Sequence, residues 1–302
     1  MKLACNGIHI EVEDSGGDGE PVLLVMGLGG QLIHWPDSLI QALLEEGYRV
    51  IRLDNRDSGF STHFHAAGTP NLAWIAAQVW IGFGMRLPYT LADMADDVVA
   101  VLEALRIPEA HVLGLSMGAM IAQRVALSAP GRIRSLTCIM GSSGARGTMT
   151  PRASVMRTVA GKPRGAAGDP EVLARYYTRF LRTISSQRYG PSEEAIREVL
   201  ESTARRHLPD SVANYRQLAA VIADTGRADM LRRISCPTLV IHGAEDPLVP
   251  RAGSVDTARR IPNAQLEIIP DMAHDLVPVP HPEIVRRVLA VQIPFLRKHP
   301  FE

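Results

Sequence analysis

HVLGLSMGAM, His111 to Met120, decides how the rest of the chain is read. Val112, Leu113 and Leu115 look like the end of a buried strand, and Gly118 with Ala119 opens a helical pattern. The corner between them, Gly114 to Gly118, matches Gly-x-Ser-x-Gly. Alone that match is weak, because at ordinary glycine and serine usage it turns up in roughly one chain in ten of this length. Its placement at a strand-to-helix corner is what adds weight, since a nucleophile elbow sits there. Such a turn would hold Ser116 Oγ clear of the sheet, beside a helix N-terminus that favours developing negative charge. The bland alternative is a serine that only makes the turn.

The pattern around the corner repeats. PVLLVMG (Pro21 to Gly27) is apolar without alternation, as expected of a strand buried on both faces of a parallel sheet. YRVIRLD (Tyr48 to Asp54), LTCIM (Leu136 to Met140), TLVIHG (Thr238 to Gly243) and QLEIIP (Gln265 to Pro270) follow the same theme. Before them, Asn6-Gly7 signals a hairpin leading into alternating Ile8, Ile10 and Val12. Thr90 with Asp93 predicts a capping box, with Leu91, Met94, Ala95, Val98, Leu102 and Leu105 behind it at helical spacing. Strands alternating with helices predict an α/β fold with a mostly parallel, doubly wound sheet.

Between Gly141 and about Arg233 the alternation lapses and helical signals dominate. Asp169-Pro170 reads as an N-cap with proline at the first helical position. Leu173, Tyr176, Tyr177, Phe180 and Leu181 recur at helical spacing after it. The expected division is a core of residues 1–141 and 234–302 with a helical cap, 142–233, inserted between late strands. The cap's many arginines read most simply as a solvated helix face.

Serine needs a base, and the base an orienting acid. IHGAEDPLVP puts Asp246 in the loop after one apolar strand, and IIPDMAHDLVP puts His274 after the next. The order Ser116, Asp246, His274 is the order that serine hydrolases of this architecture use. Glu245 is the rival for the acid. Of the other histidines, His242 lies inside a strand and reads as structural. Asp275 reads as solvated or as a local hydrogen-bond acceptor, and Asp54 and Asp57 as shaping their loop.

These segments together resemble the α/β-hydrolase superfamily, over nearly the whole chain. LLVMGLGG (23–30) is similar to its oxyanion loop, LDNRDSGFST (53–62) to the loop after the next strand, and GLSMGAMIAQRVALSAPGRIRSL (114–136) to the elbow and its helix. ISCPTLVIHGAEDPLVP (234–250) and IIPDMAHDL (268–276) are similar to its acid and histidine segments. The chain looks most like bacterial carboxylesterases of the aclacinomycin methylesterase-like group. Where many relatives carry His-Gly it has Met26-Gly27, and it has Asp271 and Ala273 where glycines are common.

The resemblance implies a serine esterase with Ser116 as nucleophile, His274 as base and Asp246 as acid. Backbone N–H groups of Leu28 and Met117 would form the oxyanion hole, with no metal or organic cofactor required. Serine at the elbow argues against dehalogenase and epoxide hydrolase chemistry, which need aspartate there. Perhydrolase or haloperoxidase, lactonase and carbon–carbon bond hydrolase chemistry remain open on the same triad. So does a small-molecule receptor that keeps the triad without turnover.

Totals narrow the partners. Over 302 residues, Lys plus Arg and Asp plus Glu each number 32 and aromatics make up 5%. Neither a basic block nor a stacking surface points to nucleic acid. Cys5, Cys138 and Cys236 show neither Cys-x-x-Cys nor zinc spacing, and they suit a reducing compartment. With an N-terminus unlike a signal peptide, they predict a cytoplasmic protein. The longest uncharged apolar stretch, Asn71 to Met85, falls short of the ~20 residues a membrane span takes. It reads as a buried helix, an entrance lip or a membrane-surface contact, with Trp74, Trp80 and Phe83 as its apolar face.

Overall fold

A computed structural model describes residues 1–82, 87–161, 170–208 and 210–301. Asp169, Phe83 and Met85, used in the sequence reading, lie outside the described residues, as does the side chain of Leu173.

Eight strands form one sheet: β1 (Lys2–Cys5), β2 (Ile8–Asp14), β3 (Pro21–Val25), β4 (Arg49–Leu53), β5 (Ala110–Leu115), β6 (Ile133–Ile139), β7 (Thr238–Gly243) and β8 (Gln265–Ile269). Their spatial order is β1-β2-β4-β3-β5-β6-β7-β8. β1 and β2 pair antiparallel through Asn6 and Gly7, both at positive φ, as a tight Asn-Gly hairpin requires. β2 and β4 are also antiparallel, and every later pair is parallel.

The uninterrupted apolar runs now have their cause. Leu23 and Val25 of β3 pack on one face with Val98 and Val101 of helix Leu91–Ala104 and with Ile121 and Val125 of helix Met117–Ser128. Val22 and Leu24 pack on the other with Leu39 and Leu43 of helix Asp37–Glu45 and with Ile284 and Val288 of helix Pro282–Arg297. Each of these side chains contributes about 1.5–3 kcal/mol by leaving water. The Thr90–Asp93 capping box starts helix Leu91–Ala104 as its sequence predicts.

Between β6 and β7 come helices Ala153–Ala160, Pro170–Ile184, Glu193–Arg206, Ser211–Ala223 and the short Arg227–Met230. The arginine reading holds only in part. Arg175, Arg182 and Arg205 are exposed, but Arg216 and Arg227 are fully buried in ion pairs with Asp57 and Asp224. A guanidinium can be buried this way because each fork finds a carboxylate and further acceptors.

The apolar stretch forms helix Leu72–Ile81, capped by Asn71. Only Ile75 of that helix is buried, while Trp74 and Trp80 are 62% and 76% exposed. It is therefore no core helix. Cys5 and Cys138 are buried, Cys236 is half-buried, and all three are free thiols. Among the described residues no helix is long and apolar enough to cross a membrane.

Candidate active site

The chain order of β3, β4 and β5 fixes where a ligand can enter. From β3 the chain moves outward to β4 and returns on the other side of β3 to β5. The loops after β3 and β5 therefore diverge and leave a crevice at the strands' C-terminal ends. Ser116 sits there, between β5 and helix Met117–Ser128, with φ 55° and ψ −118°. Residues other than glycine rarely adopt this conformation, which costs of order 1–3 kcal/mol. Its neighbours must be glycine: a Cβ on Gly114 would collide with the Gly118 carbonyl, and one on Gly118 with the Val25 carbonyl. Ser116 N donates to Ile139 O at 2.8 Å, while its hydroxyl makes no capping bond to its own helix.

That hydroxyl faces an imidazole. His274 Nε2 lies 3.1 Å from Ser116 Oγ, and His274 Nδ1 lies 2.6 Å from Asp246 Oδ2. The other carboxylate oxygen, Asp246 Oδ1, accepts from the Leu248 and Val249 amides, both at 2.8 Å. An ionised carboxylate only accepts, so the ring proton belongs on Nδ1 and leaves Nε2 free to accept from the serine. Asp246 is 3% and His274 6% exposed, so water competes little for these bonds. The structure thus brings together the three residues that the sequence singles out. Glu245 is exposed and does not take part.

His242 lies on the far side of Asp246. Its Nε2 donates to Val249 O at 2.9 Å and stands 3.4 Å from Asp246 Oδ2. Burial holds its pKa below the usual histidine range, so it meets Asp246 as a neutral ring. The structural reading of this residue suits that geometry.

The histidine loop is tied to the helical insert. His274 N donates to Ile184 O at 3.0 Å. Asp275 is buried, accepting from Ser186 N at 2.6 Å and from Ala273 N at 3.0 Å. Burial raises its carboxyl above the usual range, although both amides pull the other way. Of the two readings of Asp275, the local acceptor is right and the solvated one is not. Asp271 takes the loop's left-handed position at φ 58°, which aspartate tolerates better than most residues.

The loop after β3 turns tightly. Gly30 N donates to Gly27 O at 3.2 Å and Gly29 has φ +68°, which makes Gly27 to Gly30 a type II turn with Leu28 at its second position. Gly27 abuts the elbow, for a Cβ there would come within 3.2 Å of both Leu115 O and Ser116 Cβ. Met117 opens the helix after the serine, and first-turn amides have no intrahelical acceptor.

Two buried carboxylates brace these loops, as read for Asp54 and Asp57. Asp54 accepts from Leu32 N at 2.7 Å and Phe60 N at 2.9 Å, and pairs with Arg206 of the insert at 2.8 Å. Asp57 takes Arg216 of the insert bidentately at 2.7 and 2.8 Å, and the Tyr89 hydroxyl at 2.6 Å. Burial alone would raise the Asp57 carboxyl, but these donors and the Phe64 amide outweigh it and hold the pKa down. The sequence reading missed the insert's half of these pairs. Beside His274, the side chains of Leu181, Ile184, Ser185, Asp275, Val277 and Pro278 close in to leave only a narrow crevice of mixed polarity. Among the described residues, no cluster of three or more His, Cys, Asp or Glu side chains could hold a metal ion.

Comparison with known proteins agrees with this architecture. Residues 20–279 match the family described as alpha/beta hydrolase fold. The chain is 28% identical over 291 residues to rhodomycin D methylesterase DauP of Streptomyces sp. (strain C5), covering 89% of this chain and 90% of that protein. It is 28% identical over 287 residues to a non-heme haloperoxidase of Rhodococcus erythropolis, covering 91% and 93%. A thermophilic esterase from Thermogutta terrifontis has a similar structure, with a TM-score of 0.69 at 25% identity and 99% of each chain covered.

Proposed function

The chain belongs to the α/β hydrolase fold family, and from that premise we propose a serine hydrolase that cleaves small-molecule carboxylic esters through an acyl-enzyme on Ser116. The observation that carries this reading is the line from Ser116 Oγ to His274 Nε2 at 3.1 Å and from His274 Nδ1 to Asp246 Oδ2 at 2.6 Å. In the first step Ser116 Oγ bonds to the ester carbonyl carbon while its proton passes to His274 Nε2. Asp246 stabilises the imidazolium and keeps its orientation. The carbonyl oxygen, now an anion, is held by the Leu28 and Met117 amides, each contributing about 2.7–4 kcal/mol at the transition state. Collapse breaks the bond to the alcohol, which leaves with the proton from His274. Water then attacks the acyl-enzyme by the same route and releases the acid.

Residues 142–233 act in this reading as a cap over the site, on a core of 1–141 and 234–302. The free thiols fit a cytoplasmic protein. Similarity to a haloperoxidase supports a second reaction, in which peroxide replaces water at the acyl-enzyme and leaves as a peracid. The test is a panel of p-nitrophenyl esters of increasing acyl length, with and without peroxide. Turnover by the wild type and background rates for Ser116→Ala are expected; equal rates for the two proteins would overturn the reading.

A further inference from the structure

Helix Ser211–Ala223 carries two fully buried polar side chains, Arg216 and Gln217, and Gln217 directs its hydrogen bonds to the backbone and a hydroxyl of the core. Its Nε2 donates to Arg56 O at 2.8 Å and to Ser58 Oγ at 3.2 Å, in the loop after β4. Its Oε1 accepts from Gly29 N at 2.8 Å, in the turn after β3. Asn214, one helical turn earlier, packs so closely on Gly29 that a Cβ there would overlap its side chain.

Leu28 therefore lies between two anchored peptide groups. On one side, the Gly27 carbonyl is held by Gly30 N inside the turn. On the other, the Leu28–Gly29 peptide is held by Gln217. The Leu28 amide can reorient only if one of these bonds breaks. The glycines at 27, 29 and 30 would otherwise leave the turn unusually free.

We propose that Gln217 is a positioning residue: by accepting from Gly29 N–H, it aims the Leu28 amide at the oxygen that becomes anionic during acyl transfer. This rests on the serine hydrolase reading and assigns part of the oxyanion hole's geometry to the helical insert. A donor aimed in advance acts where charge develops, so its displacement is felt in the transition state more than in the bound substrate.

The test compares wild type, Gln217→Met and Gln217→Glu in p-nitrophenyl ester hydrolysis and in binding of a trifluoromethyl ketone, whose adduct with Ser116 carries the same oxyanion. Methionine fills the space without an acceptor. A glutamic acid, protonated at this buried site near pH 6, keeps an acceptor for Gly29 and a donor for Arg56 O. For Gln217→Met, kcat is expected to fall about 10- to 100-fold with KM within about twofold, and ketone affinity to weaken in proportion to kcat/KM. Gln217→Glu is expected to recover most of that loss. Unchanged kcat in Gln217→Met, a loss confined to KM, or a kcat loss without weaker ketone binding overturns the inference. If Gln217→Met does not fold, Gln217→Ser, which admits water, is held to the same outcomes. A wild type that neither turns over these esters nor binds the ketone overturns the hydrolase reading and this inference with it. A normal wild type beside an unaffected Gln217→Met overturns the positioning alone.

Discussion

The backbone amide of His274 donates to the carbonyl of Ile184, 3.0 Å away in the helical insert, so the loop bearing the proposed base is completed by a segment about ninety residues earlier in the chain. Asp275 reinforces the joint by taking the Ser186 and Ala273 amides. Asp275→Ala leaves both donors buried without a partner. It is expected to destabilise the fold by about 2–4 kcal/mol and to lower kcat about tenfold, as His274 loses its fixed approach to Ser116. Urea unfolding and ester kinetics on the same preparation check both halves.

Ser116→Gly separates strain from chemistry. The serine sits at φ 55°, where glycine is at ease. The variant is expected to be inactive yet more stable than wild type, by about 1 kcal/mol after allowing for glycine's greater freedom when unfolded. A lower denaturant midpoint than wild type would contradict the strain.

Asp246→Asn tests the orienting acid. The Leu248 and Val249 amides both point at Oδ1, so an asparagine must keep its carbonyl there and turn its NH₂ toward His274 Nδ1. Two donors would then face each other. The ring proton moves to Nε2, and the base arrives already protonated. The expected loss in kcat is about four orders of magnitude with little change in stability. Single-turnover acylation measures it.

His34 links the loop after β3 to the insert and predicts acid sensitivity. Its Nδ1 accepts from Gln31 N at 3.2 Å, so Nε2 carries the proton and donates to Thr203 Oγ1 at 2.8 Å. Burial, helped by the Arg206 charge, pushes its pKa from 6.5 down to about 4. The unfolded chain therefore takes up a proton here as pH drops through 6.5, while the folded chain does so only near 4. Folded stability should fall across that window as acid is added, by about 3 kcal/mol at most. Denaturant midpoints between pH 7.5 and 4.5 would show the slope, and His34→Gln would lessen it by this residue's share, the other buried histidines keeping theirs.

Much of the frame is readable because each element has a local cause. Parallel strands buried on both faces are mostly apolar, and Leu23 to Val25 and Val112 to Leu115 show it. Ser116 and Asp246 stand out because each follows such a run, and His274 because it follows the last parallel strand, where open sheets place their functional loops. What the sequence hides is contact across long separations. Arg216 meets Asp57 across 159 residues, and nothing near either residue marks the other. The buried Gln217 leaves a faint trace, since Ala213 and Ala220 on the same helical face are buried beside it. The exposed helix Leu72–Ile81 is the opposite case, for its composition suits a core it does not join.

In the proposed mechanism everything depends on Ser116 Oγ being a nucleophile activated by His274. A fluorophosphonate, which needs an activated serine and leaves a stable covalent mark, tests it most directly. One adduct per chain is expected, on the peptide containing Ser116, with ester hydrolysis lost in step and labelling slowed about a hundredfold or more in His274→Gln. Inactivation with Ser116 unmodified, or equal labelling of Ser116 in His274→Gln, would contradict it.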